Sequence, residues 1–473
     1  MLAPLKQRLP FEIRHEPVRP LLEVRDRSRD ATVALLIGLL GFFAFMPYPA
    51  IPVGNATAIQ IGNFLTLLLA LPLVTMSWSG KPFYIFPLIV AALCLSILKV
   101  AIVGGGDLSV CFKAMIAWTF SCMTVLIPQR YGRNYSLEML TGIAVAVLIH
   151  VAVGLLQLYS FSHGEFPLTW LYVNPSFLSV QDNAQTIAKY TQRPFGIFPE
   201  PSAMSSSLAP WVLFWAAELC GLIKLRREPA IWLRRVWATA GFGGLVLIIM
   251  SQSGHAAVTL SALLVFAVVW FMRSRATRKT YTIIAGGMGV VLPLVLWFAA
   301  VSLSTRVGGS EMGNSSWEER SSSLRIGFFM MFEGDVSRTM FGMGVGLMSP
   351  ALQAVSGIDA VFSVVLNFIY ETGLVGLAVV CCVAHLVIKA WRETRFDLTF
   401  AAFGFVWLVG ITITTSYDQL LPLWIALGWL TIWPEICEVA APRATVSELP
   451  NRRSNESNTR VAAVELPKRW TEK

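Results

Sequence analysis

The 473 residues are 55% hydrophobic and only 14% charged, with a mean hydropathy of +0.63, whereas a soluble chain is nearer one quarter charged. That balance excludes an ordinary soluble enzyme. The net charge of +9 does not point to nucleic acid, because the basic residues cluster in short segments between apolar runs, the bias of loops that stay in the cytoplasm.

In chain order, a charged segment (1–30) leads into an apolar run starting at Ala31. That run is too long and too badly flanked for a cleavable signal, so it is expected to remain as the first anchor. Apolar windows long enough to cross a bilayer predict about twelve helices. They fall at 31–49, 56–78, 83–103, 108–127, 137–160, 202–223, 236–252, 255–272, 281–303, 361–388, 397–415 and 419–437. The short pair around Ser253 reads equally as one re-entrant unit. The segment 438–473 follows as a tail, polar beyond Ala441 and expected to be disordered. The resulting expectation is an all-α polytopic membrane protein with one transmembrane domain over 31–437.

Basic residues orient the spans. Placing Arg14, Arg25 and Arg29 in the cytoplasm puts every second loop there as well. Those loops carry Lys81, then Arg130 and Arg133, then Arg226, Arg227 and Arg234, then Arg273 and Arg278, then Lys389 and Arg392. The tail, with Arg443, Arg452 and Lys468, falls on the same side. Loops on the other side are short and nearly uncharged, such as Gly104-Gly105-Gly106-Asp107. Two outer loops, 161–201 and 304–360, are long and mix apolar, aromatic and charged residues, the character of functional loops.

The first of them ends Arg193-Pro194-Phe195-Gly196-Ile197-Phe198-Pro199-Glu200-Pro201-Ser202. Its prolines and glycine forbid a regular helix, so a stiff turning segment is expected to hold Arg193 and Glu200 near the membrane plane. Ser202 and the serines at 205–207 then open the next span with hydroxyls. A plain interfacial loop with solvated charges is the alternative. In the second loop Trp317, Leu324, Phe328 and Met331 recur at helical spacing, beside a polar stripe of Glu318, Ser321, Ser322 and Arg325. This predicts an amphipathic helix lying at the interface. The glycines of Phe341-Gly342-Met343-Gly344-Val345-Gly346 permit close backbone approach and an anion-binding nest. An arginine such as Arg325 suits a phosphate, because its planar fork bonds two oxygens and stays charged. Headgroup contact or a salt bridge to Glu318 is the alternative.

His150, His255 and His385 lie singly in spans, where a ring bonded to a backbone carbonyl is the default; His255 sits at an outer end, close to the loops. Glu371, Asp418 and Glu435 are carboxylates within or at the edge of the membrane, and such groups are functional candidates. There is no Walker A, HExxH, GxSxG or Asp-x-Asp pair, and none of the seven cysteines forms a CxxC. No metal site and no cofactor are therefore expected.

Taken in order, these motifs resemble the O-antigen polymerase and ligase superfamily (Wzy-like). The likeness is carried by the Arg193-to-Ser202 segment, by Ser251-Gln252-Ser253-Gly254, and by Ser322 and Arg325 on an outer helix. Phe341-Gly342-Met343-Gly344-Val345-Gly346 and Asn367-Phe368-Ile369-Tyr370-Glu371-Thr372-Gly373 complete it, so that it covers roughly residues 190–380. The resemblance implies an all-helical membrane glycosyltransferase fold (GT-C-like) in the bacterial inner membrane, with both termini cytoplasmic. It implies a polyprenyl-pyrophosphate-linked oligosaccharide as donor, used without metal or nucleotide at the outer membrane face. By resemblance, Arg193 and Arg325 bind the pyrophosphate and Glu200 orients the acceptor or acts as base. Arg320, Arg338, His255 and Ser322 extend the substrate surface. Flippase and chain-length regulator proteins are the implied partners, and nucleic acid is not. Ligases of the superfamily carry a histidine–asparagine pair ahead of the Glu-x-Gly element; Phe362 and Ser363 stand there. Repeat-unit polymerisation is thus implied ahead of ligation, with a flippase or transporter as the reading from another class.

Overall fold

The computed structural model describes residues 20–54, 57–74, 84–172, 193–253, 256–264, 311–333, 335–358, 361–394, 397–413 and 420–439, with the backbone alone for 20–29, 52–54, 57–58, 74, 311–320, 413 and 439. The chain is predominantly helical. The first half carries α1 (Pro20–Phe43), α2 (Ile61–Val74), α3 (Ile85–Val103), α4 (Leu108–Met123) and α5 (Leu126–Ser162). Next come α6 (Pro201–Leu219), α7 (Ile231–Met250) and a helical stretch over 256–264. Then follow α8 (Glu311–Phe332), α9 (Val336–Phe341), α10 (Met348–Ser356), α11 (Val364–Glu393), α12 (Leu398–Ile413) and α13 (Leu421–Ile436). The expected span 255–272 is described only over 256–264, and the expected span 281–303 lies outside the described residues.

Among the described residues, four helical runs are long and apolar enough to cross a membrane: Ile85–Val103, Leu108–Ser162, Ile231–Met250 and Val364–Glu393. Leu108–Ser162 holds two of the expected spans, divided at Tyr135, whose backbone leaves helical geometry. Shorter apolar helices cover Asp30–Phe43, Ile61–Leu73, Leu398–Thr412 and Leu421–Ile436. Several helices are apolar all round. On α3, Ile89, Leu93 and Val100 are buried, yet Leu95, Leu98 and Ile102 point outward. A helix of that kind belongs in hydrocarbon. The chain is therefore a membrane-embedded helical protein.

Helix–helix packing uses small residues, as expected where lipid removes the hydrophobic drive between helices. A Cβ on Gly142 of α5 would strike the Gly38 carbonyl of α1, and one on Gly41 would come 2.5 Å from the Met139 carbonyl. Elsewhere aromatic rings fill the core edge to face, with Trp211 and Trp429 centroids 5.7 Å apart and Phe214 and Trp433 5.6 Å apart.

Segments that charge assigns to one face meet in space. Tyr135 donates its hydroxyl to Asp30 (3.2 Å), and Arg227 pairs with Glu138 (3.1 Å). Arg226 donates to the Pro434 carbonyl (3.1 Å), and β3 (Ile223–Leu225) pairs antiparallel with β4 (Cys437–Val439) in the register Ile223↔Val439. The Gly104–Gly106 turn between α3 and α4 abuts Leu347 of the second long loop. A ribbon of β1 (Ala50–Gly54) and β2 (Thr57–Gln60) links α1 to α2.

Candidate functional site

The segment after Arg193 is as irregular as its prolines require, and α5 holds it rigidly. Gln157 accepts from the Phe195 and Gly196 amides at 2.9 Å each through Oε1, and donates through Nε2 to the Gly196 carbonyl (2.9 Å) and to the Tyr172 hydroxyl (2.7 Å). Tyr172 in turn donates to the same carbonyl. Burial pushes the Tyr172 phenol above its ordinary value, which keeps it a donor. Two turns earlier on α5, His150 accepts from the Ile197 amide (3.0 Å) through Nδ1, and its Nε2 lies 2.7 Å from the Phe45 carbonyl. This is the neutral Nε2–H form, bonded to a backbone carbonyl as expected for a lone histidine in a span. Gly196 adopts φ 57°, and a Cβ there would lie 2.6 Å from the His150 ring, so the turn requires glycine.

The result is a fixed loop with Phe195, Ile197 and Phe198 buried and Arg193 and Glu200 half-buried at its two ends. Glu200 occupies the N-cap position of α6, with Pro201 opening the helix, and Ser202 donates to its carboxylate. Behind it, Ser205 Oγ lies 2.8 Å from Ser251 Oγ, which lies 3.3 Å from Ser253 Oγ. The structure thus joins the Pro-Ser opening of α6 to the Ser251-Gln252-Ser253 turn. His255, the candidate of that turn, lies outside the described residues.

A second group centres on a break in α11. At Gly373 the backbone leaves the helix (φ 69°, ψ −152°). Within hydrocarbon every carbonyl needs a donor, and those just before the break find theirs outside the helix. Met343 N–H donates to the Tyr370 carbonyl (2.9 Å), and Gly344 N–H donates to the Glu371 carbonyl (3.2 Å). The Ser96 hydroxyl of α3 donates to the Glu371 carbonyl as well (2.6 Å). Packing is close enough that a Cβ on Gly342 would strike the Glu371 carbonyl, and one on Gly373 would lie 2.6 Å from the Gly342 nitrogen.

This geometry corrects one expectation. The glycine-rich loop is not an anion nest: Gly342 N–H is spent on the Arg338 carbonyl (2.7 Å), and Met343 and Gly344 N–H on α11. The glycines serve close approach instead. The outer helix exists as α8, as the helical spacing predicts. Ser323, Gly327 and Met331 are buried, whereas Phe328, Phe329 and Phe332 are exposed. Small residues let α8 lie against α11, where the Tyr370 hydroxyl donates to the Leu324 carbonyl (2.9 Å) and a Gly327 Cβ would sit 2.5 Å from the Tyr370 ring. The phenylalanines need no protein cover if their surroundings are lipid.

Arg325 is exposed on α8, just before the Gly327 contact, and Ser322 is half-buried. Arg320 lies in the part of α8 whose side chains are not described. Arg338 is half-buried in the last turn of α9, which packs on both α3 and α11. The helix break therefore gathers the elements bearing Arg325, Arg338 and Glu371. Arg193 and Glu200 belong to the other group, on α5 and α6. Phe362 packs in a small apolar cluster with Tyr370 and Met348, and Ser363 caps α11 by accepting from the Leu366 amide (3.2 Å).

Sequence reasoning missed Gln157 and Ser96, both polar residues inside apolar spans. That rarity was itself the available signal. No protein-family model matches the chain, and no curated protein matches its sequence.

Proposed function

We propose that the protein polymerises polyprenyl-pyrophosphate-linked oligosaccharide repeat units into exopolysaccharide or O-antigen at the outer face of the inner membrane. It would do so with about twelve spans in a GT-C-like arrangement. The observation that carries this reading is the meeting of separate motifs at one helix break: the glycine loop after Arg338, the helix bearing Arg325, and the Tyr370-Glu371-Thr372-Gly373 element. In the reaction an acceptor hydroxyl attacks the anomeric carbon, and the bond from that carbon to the lipid pyrophosphate breaks. The leaving group departs with an additional negative charge, so fixed guanidinium groups lower the barrier. Arg325 and Arg193 take that role, Arg338, Arg320 and Ser322 widen the polar surface, and Glu200 takes the acceptor proton or orients its hydroxyl.

Ligation to another acceptor stands second, because the two positions where ligases carry a histidine and an asparagine are occupied by a packing residue, Phe362, and a helix cap, Ser363. A broken helix is also common in transporters, and a flippase of lipid-linked oligosaccharide remains the reading from a different class. A deletion strain separates them. The polymerase reading expects single lipid-linked repeats to accumulate in the outer leaflet, exposed to externally added glycosidase. Repeats trapped in the inner leaflet would replace this reading with the flippase.

A further inference from the structure

Among the described residues, α11, α12 and α13 enclose a groove of about 430 Å³ whose lining is apolar throughout. It follows α11 from Val379 to Trp391 and faces Gly404 and Leu408 of α12. At the end away from Trp391, Trp118 of α4 packs on Phe368 (ring centroids 5.3 Å) and on Trp424 (6.0 Å), and the three rings form its wall. One side is open, because Ile388, Phe405 and Leu408 of the lining are exposed. Since α11 is long and apolar enough to cross a membrane, that opening faces hydrocarbon. A polar occupant would find no hydrogen-bond partner in it.

Two magnitudes identify the occupant. A methylene takes about the volume of a water molecule, roughly 30 Å³, so the groove holds roughly fourteen of them. From Val379 to Trp391 it runs for about 18 Å along the helix, at 1.5 Å per residue. That length is close to one leaflet of a hydrocarbon core about 30 Å thick. Both figures match a single acyl chain of a membrane phospholipid. A much longer polyprenyl chain overfills the space.

The Trp391 end of the groove is basic. Arg392 lies one turn beyond the lining residue Ile388, and Lys389 lies three residues before Arg392, so both belong beside the mouth. Both are exposed, and among the described residues neither forms an ion pair. Glu393 is exposed on the same turn, while Asp397 is buried and caps α12, accepting from the Thr399 amide (3.2 Å). Counting Arg395, the segment 389–397 holds three cations against two carboxylates. We propose that the groove holds one acyl chain of a membrane phospholipid, whose phosphate lies beside Lys389 and Arg392. The chain braces the half of α11 that follows the break at Gly373. This site is independent of the polymerase reading.

The test uses the full chain in mild detergent, with dipalmitoyl phosphatidylglycerol as probe and native mass spectrometry as readout. One lipid per chain is the expected result. At Gly404 an added Cβ meets only the Leu430 side chain, at 3.6 Å, so a larger residue is accommodated there. Gly404→Leu fills the groove and is expected to weaken binding by about tenfold or more, the scale of a few methylenes denied burial. Gly404→Ala retains most of the affinity. Lys389→Gln and Arg392→Gln each weaken it about fivefold, the scale of one basic residue at an anionic surface. Arg235→Gln, an exposed cation of α7, leaves it unchanged. In wild-type protein in nanodiscs, the same lipid carrying a diazirine at mid-chain labels 379–391 and 404–411 above other lipid-facing helices, a reading that stands even if a variant does not fold. Label spread evenly over α3, α7 and α11, or folded Gly404→Leu that binds as wild type, overturns the site. Displacement by a polyprenyl phosphate gives the groove to that chain, and a lipid-free dimer gives it to a second copy; either result also overturns the phospholipid.

Discussion

Gly342→Ala is expected to lose most of the folded protein from the membrane, whereas Gly357→Ala keeps it. Both glycines have positive φ, 81° and 73°, so alanine costs each of them backbone strain of about 1–3 kcal/mol. They differ in what a methyl group meets. At Gly357 nothing lies within 4 Å, while at Gly342 the Glu371 carbonyl and the Thr372 nitrogen stand in the way. Relief requires the loop to back away from α11, which withdraws the Met343 and Gly344 donors from the Tyr370 and Glu371 carbonyls. The Tyr370 carbonyl, left unpaired in an apolar setting, costs roughly a further 1–3 kcal/mol, while the Glu371 carbonyl keeps the Ser96 hydroxyl. Gly373→Ala approaches the same contact from the other side and should fail likewise. Thermal midpoints of the purified variants in detergent measure the difference. Equal midpoints for Gly342→Ala and Gly357→Ala would show that the loop does not cap the break.

Arg325→Ala is expected to abolish polymer while leaving the protein in the membrane at wild-type level. Arg325 is exposed and lies outside the face that α8 buries, so its removal opens no cavity. Under the polymerase reading it stabilises charge on the departing pyrophosphate, and loss of such a fixed contact slows turnover by roughly 10²–10³-fold. Lysine at the same position keeps the charge without the two-pronged geometry and should recover only part of the rate. Polymer length and yield on gels, set beside immunoblots of membrane fractions, give the answer. Normal polymer from Arg325→Ala would remove the residue from the site.

Membrane-spanning character was legible because it depends on run length and composition, and both survive any detail of packing. Pairing of the expected inner segments was legible too, since basic residues mark them; the contacts of Asp30 with Tyr135 and of Arg227 with Glu138 follow that marking. The prolines announced the rigid segment before Glu200. They did not announce its supports, because Gln157 and His150 lie one helix away and each looks like an isolated polar residue in an apolar run.

Three features were hidden for physical reasons. The break at Gly373 sits inside a stretch apolar enough to read as one continuous span, and its cause lies in the loop that packs on it. The face by which α8 meets α11 was not legible, because helical periodicity alone does not say whether apolar residues turn to protein or to lipid. Phe328 and Phe332 turn outward, while Ser323 and Gly327 are small enough to be covered. The glycine loop looked like an anion nest because free N–H groups and capping N–H groups require the same glycines. Only the carbonyls of Tyr370 and Glu371 tell the two apart.

The most direct measurement gives purified protein a single substrate, lipid-linked repeat units, in a buffer with chelator and without nucleotide. Chains longer than one repeat, formed as free polyprenyl pyrophosphate is released, are the expected result. An absolute need for a nucleotide sugar, or release of lipid pyrophosphate without any longer chain, would contradict the account.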